Sequence, residues 1–152
     1  MTKTSSPKAK AAPKSYSFSE RSLKAKEGVH PDLNRVLDRA IQITGQDFLI
    51  TEGVRTPERQ AELYAQGRTK PGKVVTWTLN SNHFKSKVTG FGHAVDVCPY
   101  PVDWNSVAKF EAIAKAIKQA ARELGVQIEW GGDWSPKNRD YPHFQLDRTA
   151  YR

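Results

Sequence analysis

The sequence predicts an α+β domain built on a small, mostly antiparallel sheet with helices packed around it. Three observations lead there. At 152 residues the chain has the length of one domain with one proper core. Helical and strand-like stretches are mixed along it without regular βαβ alternation. The last two strand-like runs are short and joined by a turn-rich segment, as antiparallel neighbours are.

Each element has its own signal. Residues 1–15, "MTKTSSPKAKAAPKS", hold nothing to bury and read as a disordered basic tail, leaving 16–152 as the folded domain. "HPDLNRVLDRAIQIT" sets Leu33, Val36, Leu37, Ala40 and Ile41 on one helical face, with Pro31 in the first turn. "DFLITEGV" is a short β-rich run. "TPERQAELYAQG" has Thr56 as N-cap, Pro57 at the first helical position and Gly67 beyond the end. "KVVTWTL" and "GHAVDVCPY" predict two more strands. From Asp103 to Leu124 runs the longest helix, with Phe110, Ile113, Ala114, Ile117 and Ala121 on its apolar face and Gly125 as its stop. "VQIEW" and "HFQL" are the final strands, on either side of "GGDWSPKNRDYP".

Composition narrows the function. Charged residues make up 26% and hydrophobic ones 38%, ordinary values for a globular protein. No apolar run approaches the roughly 18 residues of a membrane-spanning helix, and the N-terminal lysines precede no apolar segment of a secretory signal. Cys98 is the only cysteine, which excludes an intrachain disulfide and a Cys-rich zinc site. The net charge is +8, with Lys3, Lys8, Lys10 and Lys14 in a stretch free of acids. That balance suits a polyanionic partner or simply a solubilising surface. The folded part has no run of Lys/Arg interleaved with aromatics, so nucleic acid is not expected as a partner.

The chemistry concentrates in "SNHFKSKVTGFGHAVDVCPY", residues 81–100, and in "DYPH", residues 140–143. Zinc hydrolases take three ligands from His, Asp and Glu, and a carboxylate beside the zinc-held water. His83, His93, Asp96, Asp140 and His143 are the candidates. If "GHAVD" is a strand, Ala94 and Asp96 share one face and His93 takes the other, so His83 is the better partner for Asp96.

The pattern S-x-H, G-x-A-x-D and D-x-x-H resembles the L-alanyl-D-glutamate and D-alanyl-D-alanine peptidases, zinc enzymes that cleave peptidoglycan stem peptides. Ser81-Asn82-His83, Gly92 to Asp96 and Asp140 to His143 carry the resemblance, together with "TEGVRTPERQAEL", "ERSLKAKEGVHPDL" and "GGDW", which look like phage endolysins of this group. It spans roughly Ser17 to Leu146 and implies a hedgehog-like, D-Ala-D-Ala-peptidase-like fold. It further implies one Zn²⁺ on His83, Asp96 and His143, with Asp140 as catalytic base and Arg55 steadying the scissile carbonyl and its oxyanion. One departure stands out: eight residues separate His83 from Gly92 where the compact family pattern has two. Loop closure grows only logarithmically with length, so the insertion is compatible with a shared site.

Other residues stay open between two readings. Ser81 is a substrate or backbone contact near the metal, or a turn residue. Gln60 supports Arg55, or lies on an exposed helix face. Trp130, Trp134 and Tyr141 line the cleft, or belong to the core. His93 is structural, packing behind the site, and Cys98 a small buried hydrophobe. The function expected is an endolysin: a monomer made in the host cytoplasm, released past the inner membrane by a holin, and cutting the L-alanyl-D-glutamate bond. Its Lys-rich tail would then touch anionic envelope polymers. The rivals are a D-alanyl-D-alanine carboxypeptidase or dipeptidase on the same fold, and a non-catalytic wall-binding protein with a vestigial zinc site.

Overall fold

The computed structural model describes residues 15–74, 76 and 81–151. Within them the order is α1 (Glu20–Ala25), α2 (Pro31–Ile43), β1 (Phe48–Glu52), α3 (Pro57–Ala65), β2 (Ala94–Pro99), α4 (Val107–Leu124), β3 (Ile128–Trp130) and β4 (His143–Leu146). The strands form one antiparallel sheet in the order β1-β2-β4-β3.

Alternation along the strands divides the sheet into a packing face and a polar face. Phe48, Ile50, Val95, Val97, Trp130, Phe144 and Leu146 join the apolar stripes of α2 and α4 in one core. Leu33, Val36, Leu37, Ile113 and Ile117 are fully buried there, as the 3.6-residue period predicts. The opposite face carries Asp96 and Ala94 of β2 opposite His143 and Gln145 of β4. Cys98 is buried and free.

Ends follow the expected chemistry. Thr56 Oγ1 accepts from Arg59 N, and Ser106 Oγ from Lys109 N. Gly125 closes α4 with φ 69°, a left-handed conformation that favours glycine. The structure departs from the sequence-based elements in three places. α4 begins at Val107, because Ser106 caps it and Asp103 is used in a turn, its Oδ1 accepting from Asn105 N. α1 lies where the sequence carries no helical signal: "ERSLKA" is six residues with no apolar period, capped by Ser19. It flanks β1, and the buried Ser22 Oγ accepts from Ile50 N. The expected strand in "KVVTWTL" does not include Lys73, Val74 or Thr76, and its other residues, like tail residues 1–14, lie outside those described.

No described helix is long and apolar enough to cross a membrane.

Candidate active site

The polar face of the sheet forms the floor of a cleft of about 1050 Å³. α3 contributes Arg59 and Leu63 to its lining, the turn after β3 contributes Trp134 and Asp140, and the segment before the inserted loop contributes Ser81 to His83. At the centre stand His83, Asp96 and His143, whose ligand-type atoms lie within 4.8 Å of one another.

Register explains two of the three. Asp96 and His143 are direct cross-strand partners, so their side chains rise side by side from the sheet. His83 comes from outside the sheet and is held by its backbone: its carbonyl accepts from Arg55 N at 2.8 Å, and its amide donates to Ser81 Oγ at 3.1 Å. The flanks of the inserted loop are tied together. His93 N donates to Asn82 O at 2.8 Å, and Lys85 bridges Gly92, so the loop is closed at its base while Lys85, Lys87 and Val88 are exposed to solvent.

Each ring has one nitrogen engaged and one free. His83 Nδ1 lies 2.8 Å from Gly53 O, an acceptor only, so Nδ1 carries the proton and Nε2 the lone pair. His143 Nε2 is 2.7 Å from Gln145 Oε1, which leaves Nδ1 as its lone-pair nitrogen. Asp96 Oδ2 accepts from Arg55 Nη2 at 3.2 Å, and Oδ1 faces the two histidines. His83 Nε2 and Asp96 Oδ1 are buried without a hydrogen-bond partner. Both His83 Nε2 and His143 Nδ1 lie 3.5 Å from Asp96 Oδ1. Ligands about 2.0–2.1 Å from a tetrahedral ion stand about 3.4 Å apart, so this buried N, O, N set fits a zinc ion.

The electrostatics reinforce that fit. Burial pushes the Asp96 carboxyl up, but the adjacent His83 and His143 outweigh it and hold it well below the usual carboxylate range. Burial pulls the His143 imidazole down, and the negative Asp96 carboxylate beside it outweighs that, leaving it raised. Asp140 behaves oppositely. Burial and the neighbouring Asp96 charge push its carboxyl up to about 6. It rests on a turn in which Asp140 N donates to Gly131 O at 3.0 Å.

Arg55 is buried and donates to three acceptors: Glu52 Oε2 at 2.5 Å, Gln60 Oε1 at 2.7 Å and Asp96 Oδ2. A bulge in β1 between Ile50 and Glu52 sets Glu52 opposite Asp96, within reach of the arginine. A guanidinium has five N–H groups, so two remain for a ligand in the cleft. Gln60 is fully buried and also donates to Thr76 Oγ1.

The aromatics divide. The Trp134 ring flanks the site, 5.1 Å from the His143 ring. Tyr141 is turned away, packed between Phe110 and Trp130 at the edge of the core. His93 lies outside the His–Asp–His group; its Nε2 is 2.8 Å from Thr89 Oγ1 and its ring packs on His30 and Tyr151. Four contributors are not among the residues the sequence marked: Glu52, Gly53, Gly131 and Gln145. Gln145 had a signal, since on a strand it shares the face of His143 two residues before it. The glycines act through backbone alone and had none.

Known proteins share this arrangement of sequence and fold. Residues 14–149 match the family model described as phage L-alanyl-D-glutamate peptidase. The L-alanyl-D-glutamate peptidase of Escherichia phage T5 is 34% identical over 140 residues, covering 90% of this chain and 93% of that protein. The peptidoglycan L-alanyl-D-glutamate endopeptidase CwlK of Bacillus subtilis is 32% identical over 129 residues, 78% of this chain and 73% of its own. The crystal structure of the Serratia marcescens L-Ala D-Glu endopeptidase ChiX superposes with a TM-score of 0.72 at 38% identity, over 87% of this chain and 90% of that one. With a match across nearly its whole length, this chain belongs to the phage L-alanyl-D-glutamate peptidase family.

Proposed function

We propose that the chain is a zinc-dependent peptidase that hydrolyses the L-alanyl-D-glutamate bond of peptidoglycan stem peptides. One observation carries the reading: three side chains are each fixed through a second atom, and their remaining lone-pair atoms lie within 4.8 Å of one another, His83 Nε2 and Asp96 Oδ1 among them buried with no hydrogen-bond partner. His83 Nε2, Asp96 Oδ1 and His143 Nδ1 would hold the ion. When bound, zinc supplies Lewis-acid polarisation of the scissile carbonyl and a water acidified to near neutrality.

The chain's own groups do the rest. Asp140 lines the same cleft as the three ligands, with a carboxyl poised near neutrality. It takes the proton of the attacking water on a carboxylate oxygen and returns it to the leaving amide nitrogen. Arg55, held rigid by Glu52 and Gln60, directs its remaining N–H groups at the negative charge developing on the carbonyl oxygen. Gln145 and the Gly53 carbonyl keep the two imidazoles in the required tautomers. Ser81 acts by fixing the backbone of His83, and Trp134 shields one side of the site from water. The basic tail serves as an anionic-envelope contact, and the protein works on the wall as a monomer after holin-mediated release from the host cytoplasm.

Digestion of purified muropeptides tests the reading. The expected product has a new D-glutamate N-terminus, and a chelator abolishes its formation. Release of free D-alanine with the Ala–Glu bond intact refutes the bond assignment.

A further inference from the structure

The loop between β2 and α4 breaks the usual pattern of burial. Among the described residues eight large hydrophobics are exposed, and four of them fall within residues 100–107: Tyr100 (55%), Val102 (58%), Trp104 (51%) and Val107 (42%). An apolar side chain exposed alone is ordinary, whereas a concentration of them marks a contact surface. This one is continuous with the cleft, because Trp104 itself lines it together with Asp96 and Asp140.

The indole is also held in place. Its ring lies 6.4 Å from the buried Phe110, tilted by 33°. The loop around it is braced, with Tyr100 N donating to Asp47 O at 2.9 Å and Lys109 pairing with Asp103 at 3.3 Å. A fixed, half-exposed indole in a polar cleft has a negative π face to offer. That face suits the C–H face of a pyranose ring, which is apolar and slightly positive.

We infer that Trp104, flanked by Tyr100 and Val102, is a sugar subsite that stacks on the glycan residue bearing the stem peptide. The inference rests on the proposed peptidase function, and the chemistry of that substrate gives it scale. The stem begins with L-alanine in amide linkage to the lactyl ether of a muramyl sugar. A scissile bond after that alanine stands about two residue lengths, about 7 Å, from the sugar ring. At about 1050 Å³ the cleft lies at the upper end of the roughly 300–1,000 Å³ of small-ligand pockets, room enough for both. A lipid surface is the poorer occupant: Asp103 is paired with Lys109, and the loop carries no cationic excess to attract anionic headgroups.

The test compares two substrates: a free peptide containing L-Ala-D-Glu, and the same peptide carried on a GlcNAc–MurNAc disaccharide. The wild type cleaves the sugar-bearing form with the higher kcat/KM. Trp104→Ala lowers the ratio between the two by about tenfold, chiefly through KM, as expected for loss of one aromatic stacking contact, and Trp104→Phe restores most of it. In a second measurement, the peptide-free disaccharide perturbs the Trp104 indole N–H resonance, assigned by its loss in Trp104→Phe. An unchanged ratio in Trp104→Ala overturns the subsite. So does sedimentation of the wild type, but not of Trp104→Ala, with phosphatidylglycerol vesicles while the ratio stays constant. A wild type that cleaves neither substrate defeats the peptidase reading itself, whereas equal cleavage of both defeats only the sugar subsite.

Discussion

Gly131→Ala tests whether Asp140 must be held in place. Gly131 is buried at the start of the turn after β3, and its carbonyl accepts from Asp140 N. A Cβ added there would lie 2.1 Å from the Asp140 carbonyl oxygen, 3.0 Å from its carbonyl carbon and 3.1 Å from its Cβ. To reach 3.0 Å, the shortest approach that real Cβ atoms show, the two backbones must part by about 0.9 Å. The obstacle is main chain, so no side-chain rotation relieves it. A displacement near 1 Å at a reacting group lowers the rate by about 100-fold. Overpacking adds about 1–3 kcal/mol of destabilisation. His143 N donates to the displaced Asp140 carbonyl at 3.2 Å, but His143 is also paired with Asp96 in the strand ladder, so zinc content should stay near one per chain. The assay is kcat on an L-Ala-D-Glu peptide beside zinc by plasma mass spectrometry. A kcat within threefold of wild type refutes the reasoning, and so does a loss of activity that follows loss of zinc.

Three further outcomes are expected. His83→Ala loses stoichiometric zinc and His93→Ala keeps it; the reverse pattern overturns the ligand assignment. In the metal-free protein, the Asp140 carboxyl is pushed up to about 6 when folded, above the ordinary aspartate value of about 3.8, so its contribution to stability is full below about pH 4 and disappears as pH rises through 6. Metal-free Asp140→Asn is therefore more stable than wild type at pH 7.5 by up to about 3 kcal/mol; equal urea midpoints at pH 7.5 contradict this. Gly125→Ala, where an added Cβ meets open space but φ is +69°, costs about 1 kcal/mol and leaves kcat intact; a lost melting transition or a fallen kcat counts against it.

Much of this molecule is legible in its sequence because period and spacing report on burial. Leu33, Val36 and Leu37 announced α2, and Ile113 and Ile117 announced the core face of α4. The pleat of "GHAVD" separated His93 from Asp96 without knowledge of the partner strand, and the two do part in the structure. Other features are silent for physical reasons. α1 is too short for a period, and its most buried residue is a serine whose hydroxyl completes the edge of β1. Gly53 contributes a carbonyl to His83, and Gly131 a vacancy beneath Asp140. Neither a carbonyl nor a missing Cβ leaves a residue-type signature. Tyr141, adjacent in sequence to Asp140, has its ring packed against the core, because only the fold decides on which side of a turn a ring falls.

The two faces of the β2–β4 ladder have a consequence for how this protein can change. Val95 and Phe144 answer to packing, while Asp96 and His143, one position along on each strand, answer to chemistry. Selection for a hotter host or a longer shelf life can therefore act on one set of positions and leave the other alone. Substrate preference can be tuned in the reverse way, with little penalty in folding. What the ladder does not tolerate is a shift of frame: deleting one residue within β2 would exchange the two sets, burying the carboxylate in the core and turning the valines toward the cleft. A substitution in this sheet touches one face at a time, whereas a single-residue insertion or deletion strikes both at once.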